Sequence, residues 1–261
     1  GKVEDPNQIA FLYPSLKATH VETMRNALER LGLRVYAPRA GRFLEVDESY
    51  DVFGVFALIF GLPEIQGGWG GDYGEFGDWL RQTEINAKQL LKEDPALKQF
   101  VADKRAEIET ACSDSQALMR VADRENWSLT EPYDLRQMKR KVYSAPGLSE
   151  TGRKLLGSAY LDRTVERRAT EGRPFPLDYI LKRVTSLDWS VLDLFYRLTG
   201  FTHFKAMFDL AQSGEDEGPI CNLSLITQYL ARFVDEFLPV LTADLLVEGV
   251  FHKVFYFSFL F

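Results

Sequence analysis

The stretch Ile9-Ala-Phe-Leu-Tyr13-Pro14, then His20–Leu31, Gly32 and Leu33-Arg-Val-Tyr-Ala37, decides how this chain is read. A short apolar run closed by proline reads as a strand. The apolar spacing from His20 to Leu31 predicts an amphipathic helix, and Gly32 stops it. Leu33–Ala37 is a second apolar run, and Gly41-Arg-Phe-Leu-Glu45 then leads into a helix-like run whose apolar part is Asp51–Phe60. Strand, helix, strand, loop and helix in that order is the local pattern of a parallel α/β layer.

Working outward, the remainder is expected to be helical. Residues 63–131 open with the glycine-rich run Gly67–Gly77 and continue through charged helical stretches, Asp78–Lys92 and Ala96–Arg124, broken at Pro95. Few large apolar residues punctuate them, so an extended, largely solvated hairpin is expected. From Pro132 onward apolar residues recur at helical spacing, as in Tyr179-Ile180-Val184, Leu192-Phe195-Tyr196 and Phe204-Met207-Phe208. Gly172-Arg-Pro-Phe-Pro176 reads as a turn, Gly200 ends a helix, and Asn222 or Ser224 is expected to cap the helix after the polar loop Ser213–Pro219. The expected fold is mainly α with a small α/β N-terminal segment: residues 1–62 as the layer, residues 63–261 as a helical domain.

Composition bounds the function. With 261 residues, 46% hydrophobic and 26% charged, the chain can bury a sizeable core. A net charge of −7 argues against indiscriminate coating of nucleic acid or anionic lipid, though not against a local basic face. Cys112 and Cys221 stand far apart with no CxxC spacing, which favours a reducing, cytoplasmic setting over a disulfide framework or a zinc site. The first residues, Gly1-Lys-Val-Glu-Asp5, show no apolar leader. The aromatic run Val250–Phe261 is too short to span a bilayer, which takes about 20 apolar residues. It reads either as a buried helix of this domain or, as favoured here, as the edge of a chain cut from a longer one, and no membrane partner is expected.

Catalytic motifs are thin. Gly147-Leu-Ser-Glu-Thr-Gly152 has the glycine spacing of a phosphate loop, but Arg153 stands where that loop requires lysine, and Lys154 is followed by Leu155. The Gly67–Gly77 run places Tyr73 where a dinucleotide fingerprint needs its third glycine. His20, His203 and His252 form no metal-binding pair, and His203 beside Phe204 reads as a packed or capping residue. The acidic run Gly214–Gly218 reads as a solvated loop.

One segment carries a chemical signal. Between Asp134 and Arg173 stand ten cations, Arg136, Lys139, Arg140, Lys141, Arg153, Lys154, Arg163, Arg167, Arg168 and Arg173, against five acids. That local +5 leaves −12 for the rest of the chain. Arg136, Lys139 and Arg140 are spaced for one helical face, as are Arg163 and Arg167. Charge alone leaves two readings open: a surface for nucleic-acid phosphates, or a solvated helix with internal ion pairs such as Asp162–Glu166–Arg167.

The opening segment, Asn7–Ser15 with His20–Tyr36, resembles the UvrD/Rep/PcrA group of superfamily I DNA helicases. Ala40–Ser49 and Tyr50–Ile59 stand where that family has an aromatic turn and the helix after it. Ser190–Phe201 and Asn222–Glu236 are similar to helices of its inserted subdomain, and Pro146–Gly152 stands where the family has a glycine turn that meets duplex phosphates. The chain departs from the family at Pro14, where an arginine is usual, at Leu44 in place of a phenylalanine, and at Val46 in place of an arginine. Residues 63–131 match nothing in the family and have no assigned role.

The resemblance implies part of the second RecA-like subdomain (2A) followed by its helical accessory subdomain (2B). It further implies a full-length ATP-dependent helicase that translocates on single-stranded DNA and separates strands in the service of DNA repair. ATP and Mg, and the loops that bind them, belong to other parts of such a protein, so no catalytic residue, cofactor or metal is expected in this fragment. The DNA-binding residues implied are Arg42 and Phe43 for single strands. For the duplex junction they are Arg136, Lys139, Arg140, Lys141, Gly147, Gly152, Arg153, Lys154, Arg163 and Arg167. Alternatives are the equivalent part of a helicase-nuclease, and a helical protein–protein adaptor docking through Asp78–Arg124.

Overall fold

In the computed structural model, the described residues are Phe11, 19–33, Leu44, 46–63, 74–238 and 240–260. The chain divides into two compact units, Gly1–Glu45 and Val46–Phe261. In the first, α1 spans Thr19–Arg30. Gly32 ends it with φ +79°, and the Leu33 amide donates to the Leu28 carbonyl at 3.1 Å. Glycine takes this left-handed backbone without the steric cost of a Cβ, so the expected stop occurs where glycine permits it. Apart from Phe11 and Leu33, the apolar runs 9–13 and 33–37 lie outside the described residues, as do Arg42, Phe43 and most of Gly67–Gly77. Among the described residues there is no strand, only isolated bridges between Pro132 and Pro176 and between Ser186 and Thr242. What the structure describes is mainly α.

The second unit is built around α2, Asp47–Phe60. Asp47 and Glu48 in its first turn suit the positive end of the helix dipole, and Gly61 terminates it with φ +80°. Nearly every side of α2 is buried, from Val52 and Phe53 to Ile59 and Phe60. Its main neighbour is α3, Gly74–Glu93, which turns Phe76, Leu80, Thr83, Ala87 and Leu90 inward at helical spacing. The two backbones approach so closely that a Cβ at Gly54 would sit 2.1 Å from the Thr83 carbonyl oxygen.

The helix α4, Pro95–Glu125, begins where Pro95 breaks the chain, and Asp94 accepts the amides of Ala96 and Leu97. Asn126, in the left-handed region at φ 55°, ends it. The solvated hairpin expected from the sequence is corrected here. The helix buries Leu97 and Val101 near its start and Leu118, Val121 and Ala122 near its end, so it lies in two separate parts of the core. Alanine and widely spaced leucine suffice for this, because neighbours pack close to a small-residue face. Midway, buried Lys104 is paired with Glu107 at 2.7 Å and lies 5.1 Å from the centre of the Trp189 ring, whose Nε1 donates to Glu107 at 2.6 Å.

Beyond α4 come α5 (Lys139–Tyr143), α6 (Glu150–Leu156), α7 (Ala159–Thr170) and α8 (Leu177–Val184). Then follow α9 (Val191–Leu198), α10 (Thr202–Gln212), α11 (Gly218–Glu236), α12 (Ala243–Val247) and α13 (Val250–His252), the last continuing as a π-helix over Lys253–Leu260. Ser190 and Asp193 form a reciprocal capping box at the start of α9. The cap expected at Asn222 or Ser224 does not occur: α11 begins at Gly218 with Pro219 in its first turn. Asn222 lies inside that helix and donates to Glu48 at 2.9 Å.

The aromatic run after Gly249 is buried against α2. The Phe255 ring lies 5.2–6.4 Å, centre to centre, from Phe53, Phe56, Phe60, Phe233 and Phe251. Each fully buried phenylalanine stabilises by roughly 1.5–3 kcal/mol. The Tyr256 hydroxyl donates to the Gly61 carbonyl at 2.9 Å, and His252 Nε2 is 3.0 Å from the Phe60 carbonyl oxygen. These side chains satisfy carbonyls at the end of α2 that the helix itself leaves unpaired.

A polar tie joins α10 to α2: His203 Nε2 lies 2.7 Å from Asp51 Oδ2. The Asp51 hydrogen bond, aided by the nearby charges of Glu93 and Glu48, raises the His203 pKa above its ordinary value. Burial likewise raises the pKa of Glu48.

Two outcomes follow from this packing. Gly54→Ala is expected to lower the unfolding free energy by about 3 kcal/mol in urea titration, because the Thr83 carbonyl belongs to backbone and cannot swing aside. His203 binds its proton more tightly folded than unfolded, so its contribution is complete below about pH 6.5 and lost as pH rises through the raised folded value. Melts at pH 6 and pH 8 should therefore differ by about 1 kcal/mol in favour of pH 6, a modest figure because the ring is partly solvated. Asp51→Asn should remove that difference.

Candidate nucleic-acid interface

The basic segment is held by a second hydrophobic cluster. Leu118, Val121 and Ala122 of α4 meet Val142 of α5, Leu156 of α6, Val165 of α7, and Leu177, Ile180 and Leu181 of α8. Helices α5 and α7 each bury one residue, Val142 and Val165, and α6 buries Gly152 and Leu156. Helices this short, anchored by so few side chains, leave their remaining positions to solvent, and those positions carry the cations.

The cations divide into two groups. Lys139 is turned to α7, where its ammonium binds both oxygens of Asp162 at 2.6 Å. Lys141 binds Glu125 and lies 5.5 Å from the centre of the Trp127 ring. That pairing holds the Glu125 carboxyl below its usual range. Arg136, Arg140, Arg153 and Lys154 are exposed and have no acidic partner among the described residues. Arg163 reaches only the Ala159 carbonyl of its own helix, and Arg167 pairs loosely with Glu171 at 3.9 Å.

Two expectations change in detail. Arg136 does not share a helix with Lys139 and Arg140: it sits in the turn before α5, where Asp134 accepts the amides of Arg136 and Gln137. The helix starts late because that aspartate satisfies the amides locally. The triplet Asp162–Glu166–Arg167 is also replaced, since Asp162 is taken by Lys139.

The turn at Gly147–Gly152 already holds an anion of its own. Asp114 of α4, buried, accepts the Ser149 amide and the Ser149 hydroxyl, both at 2.6 Å. The Gly152 amide donates to Ser149 Oγ at 3.0 Å. A Cβ at Gly152 would lie 2.7 Å from Asp114 Oδ2 and 2.8 Å from Leu148 Cδ1, so any larger residue would have to displace these side chains. Gly147, exposed at φ +85°, shapes the turn.

Sequence reading missed an aromatic stack beside these cations. Phe175 and Tyr179 are stacked with ring centres 4.2 Å apart and planes 9° from parallel. The Arg168 guanidinium lies 5.1 Å from the centre of the Phe175 ring. The available signal was the four-residue spacing of the two rings across the start of α8, which the sequence reading divides between a turn (Phe175) and a helical-spacing set (Tyr179). Among the described residues no group of histidine, cysteine, aspartate or glutamate is arranged to hold a metal ion, and no helix is long and apolar enough to cross a membrane. The Tyr133 hydroxyl is pushed well up by burial and by the nearby Asp162 charge.

No protein-family model, curated protein or solved structure matches this chain.

Removing the internal anion tests its role in shaping the interface. Asp114→Ala leaves the Ser149 amide without its charged acceptor, and a loss of about 2 kcal/mol in urea denaturation is expected. Exposed Glu150→Ala, next to the same turn, should cost less than 0.5 kcal/mol, about the usual size of a surface change.

Proposed function

We propose that this chain is an accessory DNA-binding portion of an ATP-dependent DNA helicase of the UvrD/Rep/PcrA type, working in the cytoplasm. In this reading residues 1–62 come from part of a RecA-like layer, with their last helix α2 packed inside the unit Val46–Phe261, and the helical remainder is the inserted subdomain that grips duplex DNA ahead of the strand junction. ATP and Mg are held by the rest of the helicase chain. The resemblance of Asn7–Ile59 to that family supports the reading on the sequence side.

The observation that carries it is the unequal treatment of charge in residues 134–173. Of its five acids, Asp134 caps a turn, Asp162 faces Lys139 and Glu171 pairs loosely with Arg167, which leaves exposed Glu150 and Glu166 against Arg136, Arg140, Arg153 and Lys154, whose charges stay in water. Solvated cations on neighbouring short helices attract phosphates and release counterions when they bind them. Such contacts position a protein on DNA without reading its sequence. The adaptor alternative has less to work with, because Ile85 is the one large apolar side chain among the described residues of α3 and α4 that is exposed.

Fluorescence anisotropy with a labelled duplex carrying a single-stranded 3′ tail tests the proposal. The chain should bind at low salt, with log K falling linearly as log salt rises. Reversing Arg153 and Lys154 together to glutamate should weaken binding at least tenfold and flatten the slope by about two. Absence of binding at low salt, or an unchanged slope in the double variant, would sink the reading. The chain by itself should hydrolyse no ATP.

A further inference from the structure

The geometry points to the outer face of Tyr179 as a seat for an unpaired DNA base, stacked on a pile made by Tyr179, Phe175 and Arg168. This deepens the helicase reading and rests on it, since it names the part of DNA that the basic face leaves unread.

The two rings differ in what they do for the protein. Phe175 is partly buried and packs on the hydrophobic cluster of α4–α8, so it has a structural job. Tyr179 does not belong to that cluster and is 44% exposed. One of its faces is covered by Phe175, and no second ring is stacked on it among the described residues. The pile is also rigid. The Phe175 carbonyl accepts the Tyr133 amide at 2.8 Å, and the amides of Leu177 and Asp178 donate to Glu131 and Leu129, each at 2.9 Å. Arg168 sets its guanidinium 5.1 Å from the centre of the Phe175 ring, and its Nε has no hydrogen-bond partner among the described residues. The ring rather than an acid therefore holds this arginine in place.

A parallel, pre-ordered aromatic face suits a flat π-system, and binding it immobilises little that was free before. The surroundings select which flat ligand fits. Arg167 and Arg173 flank the stack in sequence and are exposed, as is Arg163 one turn earlier on α7. An aromatic platform with Arg168 against it and further arginines close by in the chain matches a base joined to a phosphate backbone, the arrangement by which proteins hold single strands without strong sequence preference.

Abasic DNA separates this proposal from the one it rests on. The full chain is titrated with oligothymidylate and with an abasic strand of equal length, which offers the same phosphates and no bases. The wild type should favour the strand with bases by about tenfold, the usual scale of one stacking contact. Tyr179→Ala should bind both strands as the wild type binds the abasic one, with its salt slope unchanged, and Tyr179→Phe should keep the preference. If Tyr179→Ala retains the preference, or the wild type has none, the base seat is overturned while the phosphate face stands. If the wild type binds neither strand at low salt, both fall. Matching thermal melts of the Tyr179 variants exclude unfolding as the cause of any loss.

Discussion

A backbone carbonyl of α3 occupies the space where any residue but glycine at position 54 would carry its side chain. That approach lets α2 sink into the helical unit until almost none of it meets water. A helix so buried needs apolar neighbours on every side, and α3, α4, α11 and the aromatic run after Gly249 supply them. The rest of the unit is arranged around this one buried helix. Its C-terminal carbonyls are satisfied by Tyr256 and His252, and its buried acids by His203 and Asn222.

The long helix α4 connects that centre to the cations. Its first half lies in the α2 core, and its last turns carry the cluster on which α5–α8 are mounted. Asp114, on the same helix, ties down the turn before α6. The basic surface is thus rigidly supported although each helix bearing it is short. Electrostatics follows from the same mounting: Asp134 is engaged in a turn and Asp162 in the bridge to Lys139, while Glu150, Glu166 and Glu171 share the exposed surface with the arginines, which outnumber them.

Several features were legible from the residues alone because their causes are local. Gly32 stops α1 through a backbone conformation that needs no partner. Pro95 starts α4 beside the aspartate that caps it. The concentration of cations between Asp134 and Arg173 is a property of composition. Other features were misread where a local rule met a distant partner. Asn222 had the chemistry of a cap, but Glu48, far away in the chain, took its amide. The α3–α4 hairpin looked solvated because small residues and isolated leucines give a weak periodic signal, yet they permit close packing.

Amphipathic spacing, turn residues and charge content settle where helices run and which segment is basic, since these depend on neighbours a few positions apart. Which cations remain free, which anion fills the Ser149 turn, and which of two stacked rings faces water were settled only by folding. Each depends on groups brought together from distant parts of the chain: Lys139 to Asp162, Asp114 to Ser149, and Phe175 to Tyr133. Periodicity has no term for such pairs, because their energies depend on separation in space rather than along the chain.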